Sequence, residues 1–79
     1  MIERFGSGGP YEAAFGYSRT VRAGDLVLVS GCTAVGLHGT VLGATPYEQA
    51  VQALRNVAAA LALAGARLED VVRTRMYVT

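Results

Sequence analysis

Residues 45–65 place the tightest constraint on what this chain can become. Thr45-Pro46-Tyr47-Glu48 combines a capping residue, a proline at the first helical position and an acid three residues after the cap. Gly65 supplies a stop in the left-handed region. The spacing predicts a helix from Pro46 to about Ala64. Ala50, Val51, Leu54, Val57, Ala58 and Leu61 recur at three- and four-residue intervals and form one apolar face. Gln49, Gln52, Arg55 and Asn56 are expected to point largely away. A helix with one apolar face needs a second layer to cover it.

The flanking sequence supplies that layer as strands. Tyr17, Arg19 and Val21 alternate with Ser18, Thr20 and Arg22, and Ala23-Gly24-Asp25 marks a turn. Leu26–Ser30 is a short continuous apolar run suited to a covered strand. An antiparallel hairpin of 17–22 with 26–30 follows. Residues 32–35 extend its second strand past Gly31, 36–40 form a loop around His38, and Val41-Leu42 makes a short edge strand. Beyond the helix, Val71–Val78 is a further strand, with Val72, Thr74, Met76 and Val78 facing away from Val71, Arg73, Arg75 and Tyr77. Hairpin, helix, strand is an α+β order. That last strand runs to the chain's end with no turn after it, so a chain truncated before a second helix and the last strands is expected.

Residues 1–14 hold Gly6, Gly8, Gly9 and Pro10 and read as a flexible N-terminal arm. GSGGPYE resembles a phosphate-binding loop in composition, but no strand is predicted before it and it has no lysine. Residues 15–79 make up the domain.

Composition narrows the chemistry. A chain of 79 residues supports one small core, and domains of this size commonly gain stability from staples, metals or subunits. One cysteine, Cys32, cannot form an internal disulfide, and with one histidine it falls short of a four-ligand zinc site. Hydrophobic residues at 52% against 16% charged point to apolar surface covered by partner subunits. The net charge of +1 comes from scattered arginines, which argues against nucleic acid as a partner. No apolar run reaches membrane-spanning length, and the N-terminus lacks a signal-peptide core. A lone thiol fits a reducing cytoplasm. The absence of lysine rules out Schiff-base chemistry on this chain.

Ser30 and Cys32 are the residues that look like nucleophiles. They share one strand face, but the sequence brings no base to them: His38 lies in a loop, and Val-Ser-Gly is not a nucleophile elbow. Glu69-Asp70 reads as a solvated pair. Arg73 and Arg75 can bind an anion, form an outer charged face or contact a subunit.

Read together, FGYSRTVRAGDLVLVSGCTAV, the helix's Gln49-Ala50 and Ala53-Leu54-x-Asn56-Val57, and LEDVVRT through Tyr77-Val78 resemble the N-terminal half of the Rid (YjgF) family of reactive-intermediate deaminases. The resemblance implies a chorismate-mutase-like α+β fold, a homotrimer with ligand sites between subunits, and no metal or organic cofactor. It implies hydrolysis of 2-enamines and 2-imines, such as 2-aminoacrylate and 2-iminobutanoate, to 2-oxo acids and ammonia. The alternative is a non-catalytic trimeric module of the same fold that binds small carboxylates. The resemblance places Tyr17, Ser30, Gly31 and Tyr77 at the ligand, with no catalytic residue assigned in this stretch. The family's carboxylate-binding arginine falls on a later strand. This chain departs from the family pattern in lacking a proline between Gly16 and Tyr17, and in having Cys32 where glutamine is usual.

Overall fold

The computed structural model describes residues 2–36 and 40–77. A three-stranded antiparallel sheet in the order β1-β2-β3 is built from β1 (Ile2–Phe5), β2 (Thr20–Ala23) and β3 (Leu26–Val29). Helix α1 (Pro10–Phe15) links β1 to β2. Helix α2 (Pro46–Leu63) packs over β2 and β3, and a 3-10 turn at Leu68–Asp70 follows it. No helix among the described residues is long and apolar enough to cross a membrane. His38, Val78 and Thr79 lie outside the described residues.

The hairpin forms over a shorter span than the sequence predicts, Thr20–Ala23 with Leu26–Val29, and residues 32–35 do not extend it: past Gly31 the described residues make one isolated bridge, at Val35. Thr20 faces Val29 and Ala23 faces Leu26, with Gly24 in the turn at φ 61°. The Ser30 N–H donates to Arg19 O at 3.0 Å and carries the pairing one step past the strand ends. Thr20 and Arg22 point at α2, so their partners Val29 and Val27 share that face. Leu26 and Leu28 lie on the opposite face, 65% and 59% exposed.

Helix α2 begins and ends as its caps dictate. The Thr45 hydroxyl accepts from the Glu48 N–H at 3.1 Å and donates to the Glu48 carboxylate. At the other end Gly65 N–H bonds Ala62 O and Ala66 N–H bonds Leu61 O, a Schellman closure around Gly65 at φ 77°. Ala64 N–H bonds back to Leu61 O, three residues rather than four, which frees the Ala60 carbonyl. The sheet answers this vacancy: the fully buried Thr20 hydroxyl donates to Ala60 O at 2.8 Å. Arg22 donates to Ala64 O at 2.7 Å, placing a cation at the negative end of the helix. Small residues allow this close approach, and the buried apolar residues among those described are Ala34, Ala60, Leu61 and Ala64.

Four expectations change. Residues 1–14 are not an unstructured arm: they contain β1 and most of α1. Ile2 pairs with Ala23 and Phe5 with Thr20, a ladder that depends on the free edge of β2 and so has no local signal. The apolar stripe of α2 is rotated, leaving Leu54 49% exposed while Gln52 and Asn56 turn inward. Residues 71–77 leave Val71 with extended backbone but make no ladder among the described residues, and Val72 is 98% exposed. A β-type sequence becomes a strand only beside a partner edge. Residues 41 and 42 likewise contribute one isolated bridge, Val35 with Val41, not a strand.

Candidate functional site

The end of β3 and the chain entering β2 form the centre of the site. Arg19 lies just before β2, its side chain 15% exposed. Its Nη1 donates to Gly31 O at 2.6 Å and Ser30 O at 3.2 Å, and lies 3.6 Å from the Cys32 sulfur. Its Nη2 donates to the Tyr17 hydroxyl at 3.0 Å, and its guanidinium carbon lies 5.3 Å from the centroid of the Tyr17 ring. One guanidinium thus ties the tyrosine to the last carbonyls of the apolar strand. Arginine suits this role because its planar fork serves several acceptors at once.

Behind Arg19 lies a second device. Glu12, 8% exposed, accepts from the Ser7 N–H at 3.1 Å, the Gly9 N–H at 3.0 Å and the Ser7 hydroxyl. The Ser7 hydroxyl is the chief cause of a Glu12 pKa below the usual carboxylate range. The Ser7 and Gly9 N–H groups and the Arg19 charge act in the same direction, and burial opposes them. Arg19 Nε stands 4.0 Å from Glu12 Oε2. The loop needs its glycine here: a Cβ on Gly9 would stand 2.7 Å from Glu12 Oε2. GSGGPYE is therefore an anion-holding loop after all, running from β1 into α1, and the anion it holds is the chain's own carboxylate. Sequence reading missed the strand before it and the acid inside it.

The helix contributes the third wall. Asn56 Nδ2 donates to Thr33 O at 2.7 Å and Val35 O at 2.8 Å, and its Oδ1 accepts from Gln52 Nε2 at 2.9 Å. This pair fixes the segment after Gly31 against α2. The residues look like solvated helix positions in the sequence, and their spacing of four is the signal that joins them.

These walls enclose a cleft of about 870 Å³ lined by the Gly6–Gly9 loop, Tyr17, Arg19, Gly31–Thr33, Gln52 and Asn56, with Leu42 and Leu63 as apolar lining. A volume of this order suits a small-molecule site, for which about 300–1,000 Å³ is usual. A smaller cavity of about 390 Å³ lies at the first turns of α2, lined by Tyr47, Glu48 and Arg55 among others. Tyr17, Arg19 and Asn56 line the larger one.

The four expected ligand residues are placed unequally. Tyr17 and Gly31 both line the cleft. Ser30 is adjacent, but its hydroxyl donates to Ser18 O at 2.6 Å, which locks the hairpin end. Tyr77 is 84% exposed and is not part of the cleft lining. Cys32 lines the cleft against the guanidinium, and its thiol donates to Ser30 O.

The sheet and the helix covering it define an α+β class of protein, with this cleft beside the strand end. The sequence profile of the family described as Endoribonuclease L-PSP matches residues 9–79. The crystal structure of Rv2704 from Mycobacterium tuberculosis, a member of the YjgF/YER057c/UK114 family, superposes with a TM-score of 0.76 at 40% identity. That match covers 89% of this chain and 53% of the other. The uncharacterized protein SCO2049 of Streptomyces coelicolor is 42% identical over 77 residues, 95% of this chain and 56% of its own. The chain belongs to the YjgF (L-PSP) family and has its fold. It spans about half the length of the relatives it matches.

Proposed function

We propose that this chain forms the N-terminal half of a Rid-type site that hydrolyses reactive 2-imino and 2-enamino acids to 2-oxo acids and ammonia. The observation that carries the reading is the convergence of Tyr17, Gly31 and the Arg19 guanidinium on one cleft. An imine carbon is already electrophilic, so the protein has to hold the carboxylate, orient water and keep competing reactants out. Tyr17 holds the substrate carboxylate through its phenol. Gly31, which has no side chain to intervene, lets the ligand approach the strand end. Ser30 supports that end from behind, and Tyr77 joins the pocket once residues 71–78 find a strand partner. The exposed apolar face of the sheet, with Ile2, Leu26 and Leu28, supports assembly as a homotrimer with sites between subunits. The lone thiol supports a cytoplasmic setting. The reaction uses no metal or organic cofactor.

A second reading, a non-catalytic carboxylate-binding module, is favoured by Cys32 at the position where the deaminases usually carry glutamine. Ribonuclease action, the activity in the family's description, would require a basic path for RNA, and the net charge of +1 in this chain argues against it. The test is ammonia release from freshly generated 2-aminoacrylate by the full-length protein. Acceleration over buffer that falls roughly tenfold or more in Tyr17→Phe supports the enzyme, that being the scale of one hydrogen bond to a charged group. Binding of 2-oxobutanoate without acceleration selects the module, and neither result discards both readings.

A further inference from the structure

Arg19 is more tightly held than an ordinary surface arginine. Glu12 stands beside Nε, two strand-end carbonyls accept from Nη1, and the Tyr17 hydroxyl accepts from Nη2. Two chemical consequences follow. A phenolic oxygen that accepts from a guanidinium keeps its own proton to give, and the charged donor makes that O–H a stronger donor in turn. The phenol lines the cleft, so its proton is available to a ligand there. The second consequence concerns Ser30 O and Gly31 O. Uncapped, both would present partial negative charge to an incoming anion; bonded to Arg19, they no longer do so.

We infer that Arg19 is a positioning residue: it leaves the Tyr17 proton free to point into the cleft and masks the Ser30 and Gly31 carbonyls, so that the strand end receives a carboxylate. The inference rests on the proposed function in taking the ligand to be a carboxylate. Glu12 holds Arg19 from behind, in the loop of Ser7 and Gly9. A bare positive charge is not sufficient, because lysine cannot reach the phenol and both carbonyls together.

The experiment has a ligand-free arm and a ligand arm, both on the full-length protein. In protein labelled with [13Cζ]tyrosine, with Tyr17 assigned through Tyr17→Phe, Arg19→Gln shifts the Tyr17 resonance. Arg19→Lys does not restore it. An unmoved resonance, or rescue by lysine, overturns the inference. In the ligand arm, calorimetry with 2-oxobutanoate gives Kd for wild type, Tyr17→Phe, Arg19→Gln and the double variant. Each single change weakens binding roughly tenfold to a hundredfold, the span of one charge-assisted hydrogen bond. The double variant is weaker than Tyr17→Phe by clearly less than the full Arg19→Gln factor, because removing the phenolic hydroxyl already removes one of the two things Arg19 prepares and leaves only the masked carbonyls to lose. Effects that multiply in full overturn the inference while leaving the carboxylate site intact. If wild type binds no 2-oxobutanoate although the resonance still shifts in Arg19→Gln, the proposed function fails and the carboxylate-receiving role falls with it.

Discussion

Glu12→Gln perturbs the loop behind the site with almost no change in shape. In the native loop one carboxylate oxygen accepts from the Ser7 N–H, and the other from the Gly9 N–H and the Ser7 hydroxyl. A glutamine amide offers one oxygen and one NH2. Whichever way it turns, its NH2 meets a backbone N–H, either Ser7 or Gly9, and leaves that donor without a partner. Ser7 is exposed and Gly9 half-buried, so losing one of their bonds costs about 0.5–1.5 kcal/mol, and the remaining bonds lose their charge assistance at roughly 0.5–1 kcal/mol each. The expected loss is roughly 1–3 kcal/mol in urea unfolding at pH 7. Its pH dependence has a definite sign. Glu12 titrates below its unfolded value of about 4.3, so its contribution is fully present above that value. The contribution fades as pH falls through the lower folded value. The wild-type advantage over Glu12→Gln is therefore flat near neutrality and shrinks in acid. Gly9→Ala provides a cross-check. Gly9 has ordinary extended angles, φ −63° and ψ 146°, so the one tight contact an alanine makes is with the Glu12 oxygen, the Ser7 hydroxyl and Glu12 Cδ lying at ordinary distances. It should destabilise wild type by about 1 kcal/mol or more and cost only a few tenths in a Glu12→Ala background. A Glu12→Gln loss under about 0.5 kcal/mol, or an advantage that grows in acid, would refute the internal-anion account.

Three further substitutions test how the cleft is framed. Thr20→Val keeps the shape of a fully buried side chain but removes the donor to Ala60 O, and should cost about 1–3 kcal/mol by urea titration. Asn56→Asp replaces a donor to Thr33 O and Val35 O with a carboxylate facing both. It should exceed Asn56→Ala in cost at pH 7, and faster amide exchange at Gly36 and Leu42 would report loosening of their bonds to Thr40 O and Ala34 O. Gly65→Ala, at φ 77°, should cost about 1 kcal/mol and lower the thermal midpoint.

What the sequence revealed was whatever its own neighbours determine. The hairpin expected at 17–22 with 26–30 and the helix from Pro46 are specified by turn and cap residues within a few positions; both form, the hairpin's ladder running Thr20–Ala23 with Leu26–Val29. Long-range structure was not legible in the same way. The β1 strand exists because β2 offers an edge some twenty residues away, whereas residues 71–77 find no such edge among the described residues. Asn56 and Gln52 read as solvent-facing because they are polar, yet the carbonyls after Gly31 needed donors and drew them inward. For the site, family resemblance pointed to Tyr17, Ser30, Gly31 and Tyr77; Tyr17 and Gly31 line the cleft, and Ser30 and Tyr77 do not. Arg19 was visible as a neighbour of Tyr17 on one face, but its bonds to Gly31 and its approach to Glu12 are products of the fold. The serine and cysteine that first suggest a nucleophile donate to main-chain carbonyls instead, Ser30 to Ser18 O and Cys32 to Ser30 O.

The central claim is that the cleft beside Gly31 receives a small carboxylate through Tyr17. A crystal structure of the full-length protein soaked with 2-oxobutanoate tests it most directly. The account predicts the ligand in this cleft, its carboxylate within hydrogen-bonding distance of the Tyr17 hydroxyl, with Arg19 still bonded to the Gly31 carbonyl. A ligand bound elsewhere, or one whose carboxylate turns away from Tyr17 in a fully occupied cleft, would contradict it.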